Sequence, residues 1–215
     1  MKKYIVGMLA FGLVACGAPS PELETSSNSA PVSVSGVSEP VAQVDLPILT
    51  GAYVWQVDKL KSSVGFEALE QGASFPGKFE RFELAIKLDP DNPESGQIDA
   101  IIDLASVEAG TKERNQVLPT QEWFDIKNFA QATFSSRNII RKAAGEYEAR
   151  GELSLKGISK EIVLPFTLDH DGKTAHATGK VSFNRVDFNV GEGSYKSEEY
   201  IDHKVVVSVD IYAAR

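Results

Sequence analysis

The chain has 215 residues with 22 basic and 30 acidic side chains, which gives a formal net charge of −8 at pH 7. An acidic surface repels phosphate backbones, so this balance argues against nucleic-acid binding. Cys16 is the only cysteine, so no disulfide can form within the chain. Stability must therefore come from a hydrophobic core, which a chain of this length is able to build.

The first residues predict secretion followed by lipid attachment. Lys2 and Lys3 precede an apolar stretch over residues 4–15, the order found in a secretory signal peptide. As a helix this stretch rises only about 18 Å, too short for the roughly 30 Å hydrocarbon core of a bilayer. It ends in Leu13-Val14-Ala15-Cys16, which is typical of a bacterial lipobox, whose cysteine thiol takes a diacylglyceryl group. We predict a signal peptide over residues 1–15 and lipid on Cys16; the alternative is an ordinary signal peptide with a free cysteine nearby.

The residues that follow predict a sorting signal and a linker. Gly17, rather than Asp, comes after the cysteine, which resembles the signal for the outer membrane and predicts a lipid-anchored protein with its folded domain in the periplasm. Residues 16–50 hold five of the ten prolines, many serines and no Lys or Arg. Such a stretch buries too little apolar surface to offset its ordering entropy. We predict a disordered linker over 16–50 and one folded domain over 51–215.

Along 51–215 the dominant hydrophobic period is two, which is typical of antiparallel strands joined by turns. The clearest alternating sets are Ile162, Leu164, Phe166 and Leu168, and Val205, Val207, Val209 and Ile211. Turn signals such as Ala144-Gly145 and Asp171-Gly172 separate the runs. Only residues 111–128 break the pattern, at spacings that predict a short helical excursion. About eight strands in one domain predict an all-β fold, either a closed barrel or a sandwich.

Aromatic residues on the alternating strands are candidates for the lining of a ligand cavity, because an eight-stranded barrel is about the smallest that encloses a ligand. The alternative is that the same rings fill a solid core. Periodicity does not separate the two. The candidates are Phe66, Phe79, Phe82, Phe134, Phe166 and Phe183 on strands, with Trp123 and Phe124 near the helical excursion. Arg114, in the same excursion, is the candidate for the polar end of a ligand; the alternative is a surface arginine paired with an acid.

Several blocks of the sequence resemble the YceI-like family. They are Tyr53 to Asp58, Ser62 to Phe66, Gly77 to Phe82, Arg114 to Leu118, Trp123 to Asp125, and Gly151 to Lys160, in the family's order. The resemblance implies a lipocalin-like, extended eight-stranded antiparallel β-barrel that binds polyisoprenoids or other long lipids in the bacterial envelope. The family often has Arg-Asp where this chain has Arg114-Asn115, so a carboxylate that neutralises the arginine is absent from that position.

Motifs for catalysis are absent from the sequence. There is no G-x-S-x-G elbow, P-loop or dinucleotide fingerprint, and none of the three histidines has metal-ligand spacing. Asp99 and Asp103 have an even spacing on a predicted strand, so both side chains lie on the same face. We interpret this as a solvent-exposed face; the alternative is a catalytic pair of carboxylates. We predict a non-enzymatic lipid carrier with no cofactor or metal. The rival hypotheses are an enzyme that acts on a lipid in the same cavity and a filled-core interaction module. The oligomeric state stays open, with a homodimer as one alternative.

Overall fold

The structure, a computed structural model, describes residues 43–215; the predicted signal peptide, Cys16 and most of the predicted linker lie outside this range. Within it the chain forms one α-helix, α1 (Lys112–Val117), four short 3₁₀ helices and eleven strands. The strands are β1 (Val54–Val57), β2 (Ser63–Glu70), β3 (Ala73–Phe79), β4 (Phe82–Lys87), β5 (Gln97–Asp103), β6 (Val107–Glu108), β7 (Gln131–Ala143), β8 (Glu146–Leu155), β9 (Ile158–His170), β10 (Thr174–Asn184) and β11 (Lys204–Ala214). In this part of the chain no helix combines the length and apolarity needed to cross a membrane.

The strands close into an antiparallel barrel with eight positions. The hydrogen-bonded order is β1-β4-β5-β7-β8-β9-β10-β11, and β11 pairs with β1 through Val57 and Ala213. The remaining strands, β2, β3 and β6, extend three of these positions, because β2 also pairs with β11, β3 with β2, and β6 with β3. Each chain segment therefore neighbours the next, as in a lipocalin-like meander, and the predicted eight-stranded barrel is confirmed.

Two tight turns hold the strand register. β2 and β3 are joined by Gln71 and Gly72, and β8 and β9 by Lys156 and Gly157. All four residues have positive φ, between 50° and 80°. Two-residue turns with positive φ match the right-handed twist of the flanking strands, so they keep the paired residues in step. As a result, the alternating apolar side chains of neighbouring strands point to the same side of the wall.

The region that breaks the strand pattern is partly helical, as predicted. Helix α1 begins after Thr111, whose hydroxyl accepts a hydrogen bond from the Arg114 backbone N–H at 3.3 Å, an N-cap. It ends at Val117, and a series of turns continues to residue 128 before β7 begins. This segment packs its apolar residues, Leu118, Trp123 and Phe124, into the core at one end of the barrel.

The two ends of the barrel have separate hydrophobic clusters. We call the first the Trp123 end: residues 109–130 and 185–203 pack there around Leu104, Trp123 and Phe188. We call the second the Trp55 end: residues 88–96, 144–145 and 171–173 lie at this rim, around Trp55, Leu88, Ile139 and Tyr147. The space between the two clusters is the candidate functional site.

Candidate functional site

A cavity of about 250 Å³ lies inside the barrel. Its lining reaches from Trp55 and Leu88 at one end to Trp123 and Val190 at the other. Within residues 43–215 only Thr133 and Arg185 bring a polar or charged side chain to this lining, besides the two indole rings. For comparison, an engineered cavity of about 150 Å³ with Leu, Ile and Phe walls in another protein contains no water and binds benzene. The space here is therefore suited to an apolar ligand rather than to water.

Alternating residues of the long strands form the walls. β9 contributes Ile162, Leu164, Phe166 and Leu168, and β11 contributes Val205, Val207, Val209, Ile211 and Ala213. These are the sets that the sequence predicts for one face of each strand, extended by one residue on β11. The side chains between them, such as Val206 and Ser208, lie outside the lining. The alternation is confirmed, and it shows that the inner face of the barrel is apolar along its length.

Glycines on the inner face let large rings lie flat against the wall. A Cβ atom built on Gly77 would collide with the ring of Phe66. One built on Gly151 would come within 2.8 Å of the Phe134 ring. Real Cβ atoms do not approach other atoms this closely, so any larger residue would push these rings toward the barrel axis. The glycines thus keep part of the interior open.

Seven of the predicted lining residues do line the cavity: Phe66, Phe79, Trp123, Phe124, Phe134, Phe166 and Phe183. At the Trp123 end three of them form a row, with ring centroids 5.7 Å apart for Phe66 and Phe79 and 6.0 Å apart for Phe79 and Phe124. The aromatic candidates therefore meet in one space. Their contact with a ligand stays a prediction.

Phe82 and Arg114 lie elsewhere. The Phe82 ring is buried against Val64 and Ile211, in the packed part of the wall. The Arg114 guanidinium lies over the Phe75 ring, 4.0 Å from its centroid, and its Nη2 is 2.6 Å from Glu70 Oε2. Glu70 on β2 thus supplies the neutralising carboxylate that the sequence lacks beside Arg114. The expectation that Arg114 meets the polar end of a ligand does not fit this position outside the cavity lining.

Arg185, which the sequence did not single out, is the charged residue of the lining. It is 2% exposed, and it forms no ion pair with a carboxylate of the described residues. Instead its guanidinium donates to backbone carbonyl oxygens of Asp202, Val190, Gly191, Tyr195, Ser197 and Ile201, at 2.6 to 3.4 Å. Burial lowers the pKa of the Arg185 guanidinium, while the carboxylates of Glu198 and Asp202 oppose that shift. Arginine remains charged in proteins, so a positive charge lies at this end of the cavity.

The two tryptophans of the chain differ in their hydrogen bonds. Trp55 Nε1 donates to the carbonyl oxygen of Leu88 at 2.9 Å. Trp123 Nε1 is buried and donates to no group among residues 43–215. The Trp123 ring is 6% exposed, packs on Tyr195 at 5.1 Å and lies 5.3 Å from the Arg185 guanidinium carbon. The Trp123 end of the cavity therefore has a buried donor without an acceptor.

A second buried cation fastens the loop at the same end. Lys156, with a side chain 5% exposed, donates from Nζ to Glu192 Oε2 at 2.8 Å and to the Asn189 carbonyl oxygen at 2.7 Å. Gly191 and Glu192 donate their backbone N–H groups to the Glu122 carbonyl oxygen. Residues 189–192 are thus tied both to the β8–β9 turn and to the segment after α1.

The two aspartates that the sequence offers as a catalytic pair have separate partners in the structure. Asp99 is buried, not solvated, because Arg137 Nη1 at 3.0 Å and Ser135 Oγ at 2.8 Å cover its carboxylate. Asp103 pairs instead with Arg81 at 2.8 Å. No group of three His, Cys, Asp or Glu side chains within residues 43–215 is placed to hold a metal ion.

Comparison with known proteins agrees with this geometry. The family model of the YceI-like domain matches residues 55–213. A UPF0312 protein of Vibrio cholerae is 27% identical over 126 residues, covering 57% of this chain and 67% of its own. The crystal structure of BcnA from Burkholderia cenocepacia is 30% identical, with a TM-score of 0.72 over 74% of this chain and 100% of that one. A polyisoprenoid binding domain from Saccharophagus degradans, implicated in plant cell wall breakdown, is 16% identical, with a TM-score of 0.59 over 75% of this chain and 98% of that one.

Proposed function

Since the chain belongs to the YceI-like domain family, we propose that it binds a long-chain isoprenoid or similar amphipathic lipid in the barrel cavity and does not convert it. The observation that carries this proposal is the apolar lining, which continues from Trp55 to Trp123. The name of the Saccharophagus degradans domain points in the same direction, although at that identity the likeness is one of fold alone.

The hydrophobic effect supplies enough free energy for such binding without polar contacts. Burying about fifteen methylene groups at about 0.8 kcal/mol each gives roughly 12 kcal/mol. Lost ligand freedom takes several kcal/mol of this. What is left corresponds to roughly micromolar affinity or tighter. An apolar wall is therefore a sufficient binding mechanism.

A carrier role fits the lining better than catalysis does. Acid–base or nucleophilic chemistry needs a side chain that reaches the reacting atoms. The lining offers Thr133 and Arg185, and the guanidinium donors of Arg185 are engaged by carbonyl oxygens. Incubation of a bound isoprenoid with the protein should return it unchanged, as mass spectrometry of the extracted ligand will show; a converted product would support the enzyme hypothesis instead.

A pair of neighbouring substitutions tests whether the cavity holds a ligand. Val207 lines the cavity, whereas Val206, beside it on β11, does not. In Val207→Phe the added ring occupies ligand space, so the affinity for a fluorescent long-chain probe should fall at least tenfold with little loss of stability. Val206→Phe should bind the probe as the unaltered protein does.

The opposite pattern would contradict the proposal. If the barrel interior is packed solid, Val207→Phe overpacks it and lowers the free energy of unfolding by about 1–3 kcal/mol. That loss, together with no saturable probe binding by the unaltered protein, would favour the filled-core module. Native mass spectrometry of the protein as isolated gives an independent reading, since a carrier should retain an extractable lipid.

We further propose that the domain is tethered to the outer membrane through lipid on Cys16 and faces the periplasm. The support is the Leu13-Val14-Ala15-Cys16 run behind a short apolar stretch, with Gly17 after it. Cys16→Ala should move the protein from the membrane fraction to the soluble fraction or block its processing. Unchanged fractionation, with no acyl mass on the unaltered protein, would contradict the tether and leave the cavity proposal standing.

A further inference from the structure

We propose that the cavity selects lipids whose polar end carries a hydrogen-bond acceptor oxygen, and that this oxygen binds the indole N–H of Trp123. The inference rests on the proposed lipid-binding function and names the chemical class of its ligand: a long apolar chain that ends in a carbonyl, quinone or ether oxygen. It also orients the ligand, with the oxygen at the Trp123 end and the chain running toward Trp55.

The first observation is the unpartnered donor. Trp123 Nε1 is buried and has no acceptor among residues 43–215, although the Trp123 ring forms part of the cavity wall. Buried donors in folded proteins nearly always have a partner, and one without a partner is unfavourable. Trp55, in the wall at the opposite end, follows the rule by donating to Leu88. An acceptor oxygen on the ligand would give Trp123 the partner that Trp55 already has.

The second observation is the charge beside that donor. The Arg185 guanidinium carbon lies 5.3 Å from the Trp123 ring centroid. Its N–H groups are taken by backbone carbonyls, so Arg185 contributes a positive charge here and Trp123 contributes the hydrogen bond. A positive charge favours the negative end of a C=O or C–O dipole and disfavours an ammonium group. The polar end is therefore an acceptor oxygen and not an amine.

A competition experiment tests this selectivity. Farnesylacetone, its hydrocarbon analogue without the carbonyl group, and the corresponding primary amine are used to displace N-phenyl-1-naphthylamine from the protein. We expect the ketone to bind about tenfold more tightly than the hydrocarbon, the effect of one net hydrogen bond, and the amine to bind most weakly. In Trp123→Phe the ketone preference should disappear while the hydrocarbon binds within about twofold of its original affinity.

Trp55→Phe is the matched control, because it makes the same substitution at the other end of the same wall. Because Trp55 also lines the cavity, this variant should change the affinities for the ketone and the hydrocarbon by the same factor, so that the ratio of the two equals that of the unaltered protein. Equal affinity of the unaltered protein for ketone and hydrocarbon, or an unchanged preference in Trp123→Phe, would overturn the inference and leave lipid binding intact. Failure to bind any of the three ligands would overturn both proposals.

A spectroscopic measurement tests the same contact without depending on the stability of a variant. The chain has two tryptophans, so the ¹⁵N-labelled protein gives two indole N–H resonances, which Trp55→Phe assigns. Adding the ketone should move the Trp123 proton resonance downfield by several tenths of a ppm, as a new hydrogen bond does, and the hydrocarbon should not. A ketone that binds without moving this resonance would contradict the proposed contact.

Discussion

The two ends of the barrel close the same cavity by different means. At the Trp55 end two neutral donors meet backbone carbonyls: Trp55 Nε1 donates to Leu88, and the Tyr147 hydroxyl donates to Pro90 at 3.2 Å. At the Trp123 end, two buried cations, Arg185 and Lys156, hold a loop, and an indole N–H is left without an acceptor. Of the two buried indole N–H groups, only that of Trp55 has an acceptor among residues 43–215.

This difference indicates that the Trp55 end serves mainly to stabilise the fold, whereas the Trp123 end has a polar group available to a ligand. At the Trp55 end the matched neutral groups stabilise the fold. The Arg215 guanidinium carbon lies 5.0 Å from the Trp55 ring centroid, but Arg215 is exposed and outside the cavity lining, whereas Arg185 is buried and part of it. At the Trp123 end, residues 185–203 have few apolar side chains in the core, namely Phe188, Val190 and Ile201. Several of their backbone carbonyl oxygens accept hydrogen bonds from the Arg185 guanidinium. Arg185, which is also part of the cavity wall, therefore makes the largest set of contacts that order this loop, beside those of Lys156 and the Glu122 carbonyl oxygen.

Removing that side chain is the change with the largest expected effect. Arg185→Met keeps the length but leaves several buried carbonyl groups without a donor, and hydrogen bonds to a charged group contribute about 1.5–3 kcal/mol each. We expect the free energy of unfolding to fall by at least about 3 kcal/mol in urea denaturation. Arg81→Met is the control, since Arg81 pairs with Asp103 at 2.8 Å but is 61% exposed. It should lose no more than about 1 kcal/mol. Similar losses in the two variants would contradict the role given to Arg185.

The tryptophan pair gives an intermediate effect. Trp→Phe removes the same volume at both ends, so the difference between the two variants isolates the hydrogen bond. Trp55→Phe leaves the Leu88 carbonyl without its donor, whereas Trp123→Phe removes a donor that had no partner. In the ligand-free protein we expect Trp55→Phe to be less stable than Trp123→Phe by about 1–2 kcal/mol in denaturant melts. The reverse order would show that Trp123 has a partner in the fold.

The strands and the cavity lining could be predicted from the sequence in some parts of the chain and not in others. Alternation on β9 and β11 predicted the inner face because a buried wall forces a period of two. Five of the seven aromatic lining residues lie on strands and follow from the same rule, whereas Trp123 and Phe124 lie in the turns after α1. β10 carries Thr174, His176 and Thr178 beside small residues, so its alternation is weak. Pairing with β11 over its full length and with β9 over residues 175–179 makes it a strand.

The charged residues of the Trp123 end do not follow from local patterns. Arginine and lysine are seldom fully buried, so Arg185 and Lys156 look like surface residues in the sequence. Arg185 becomes buried because residues 189–202 fold around it, which Gly191 allows: at φ of +81° its hydrogen leaves room for the guanidinium. For Arg114 the structure shows the alternative stated from the sequence, an arginine paired with an acid; local patterns do not identify the acid, because Glu70 is 44 residues away in sequence.

The smallest expected effect is a change of stability at low pH, caused by one carboxyl group at the rim of the Trp55 end. Asp171, in the turn between β9 and β10, accepts backbone N–H bonds from Thr174 and Lys173 at 2.7 and 2.8 Å. These bonds hold the pKa of the Asp171 carboxyl at about 2, below its ordinary 3.8. A carboxyl whose pKa is lower in the folded than in the unfolded chain stabilises the fold above about pH 4 and loses that contribution as the pH falls toward 2.

Asp171→Ala should therefore lower the melting temperature at pH 6 by a small amount, and the difference from the unaltered protein should shrink as the pH falls from 4 to 2. Glu161→Ala, which removes one exposed negative charge from β9, is the control for net charge. A difference between Asp171→Ala and the unaltered protein that stays constant down to pH 2 would mean that the turn does not need the ionised carboxylate. The contrast between the two ends would then rest on the buried cations and the two indoles alone.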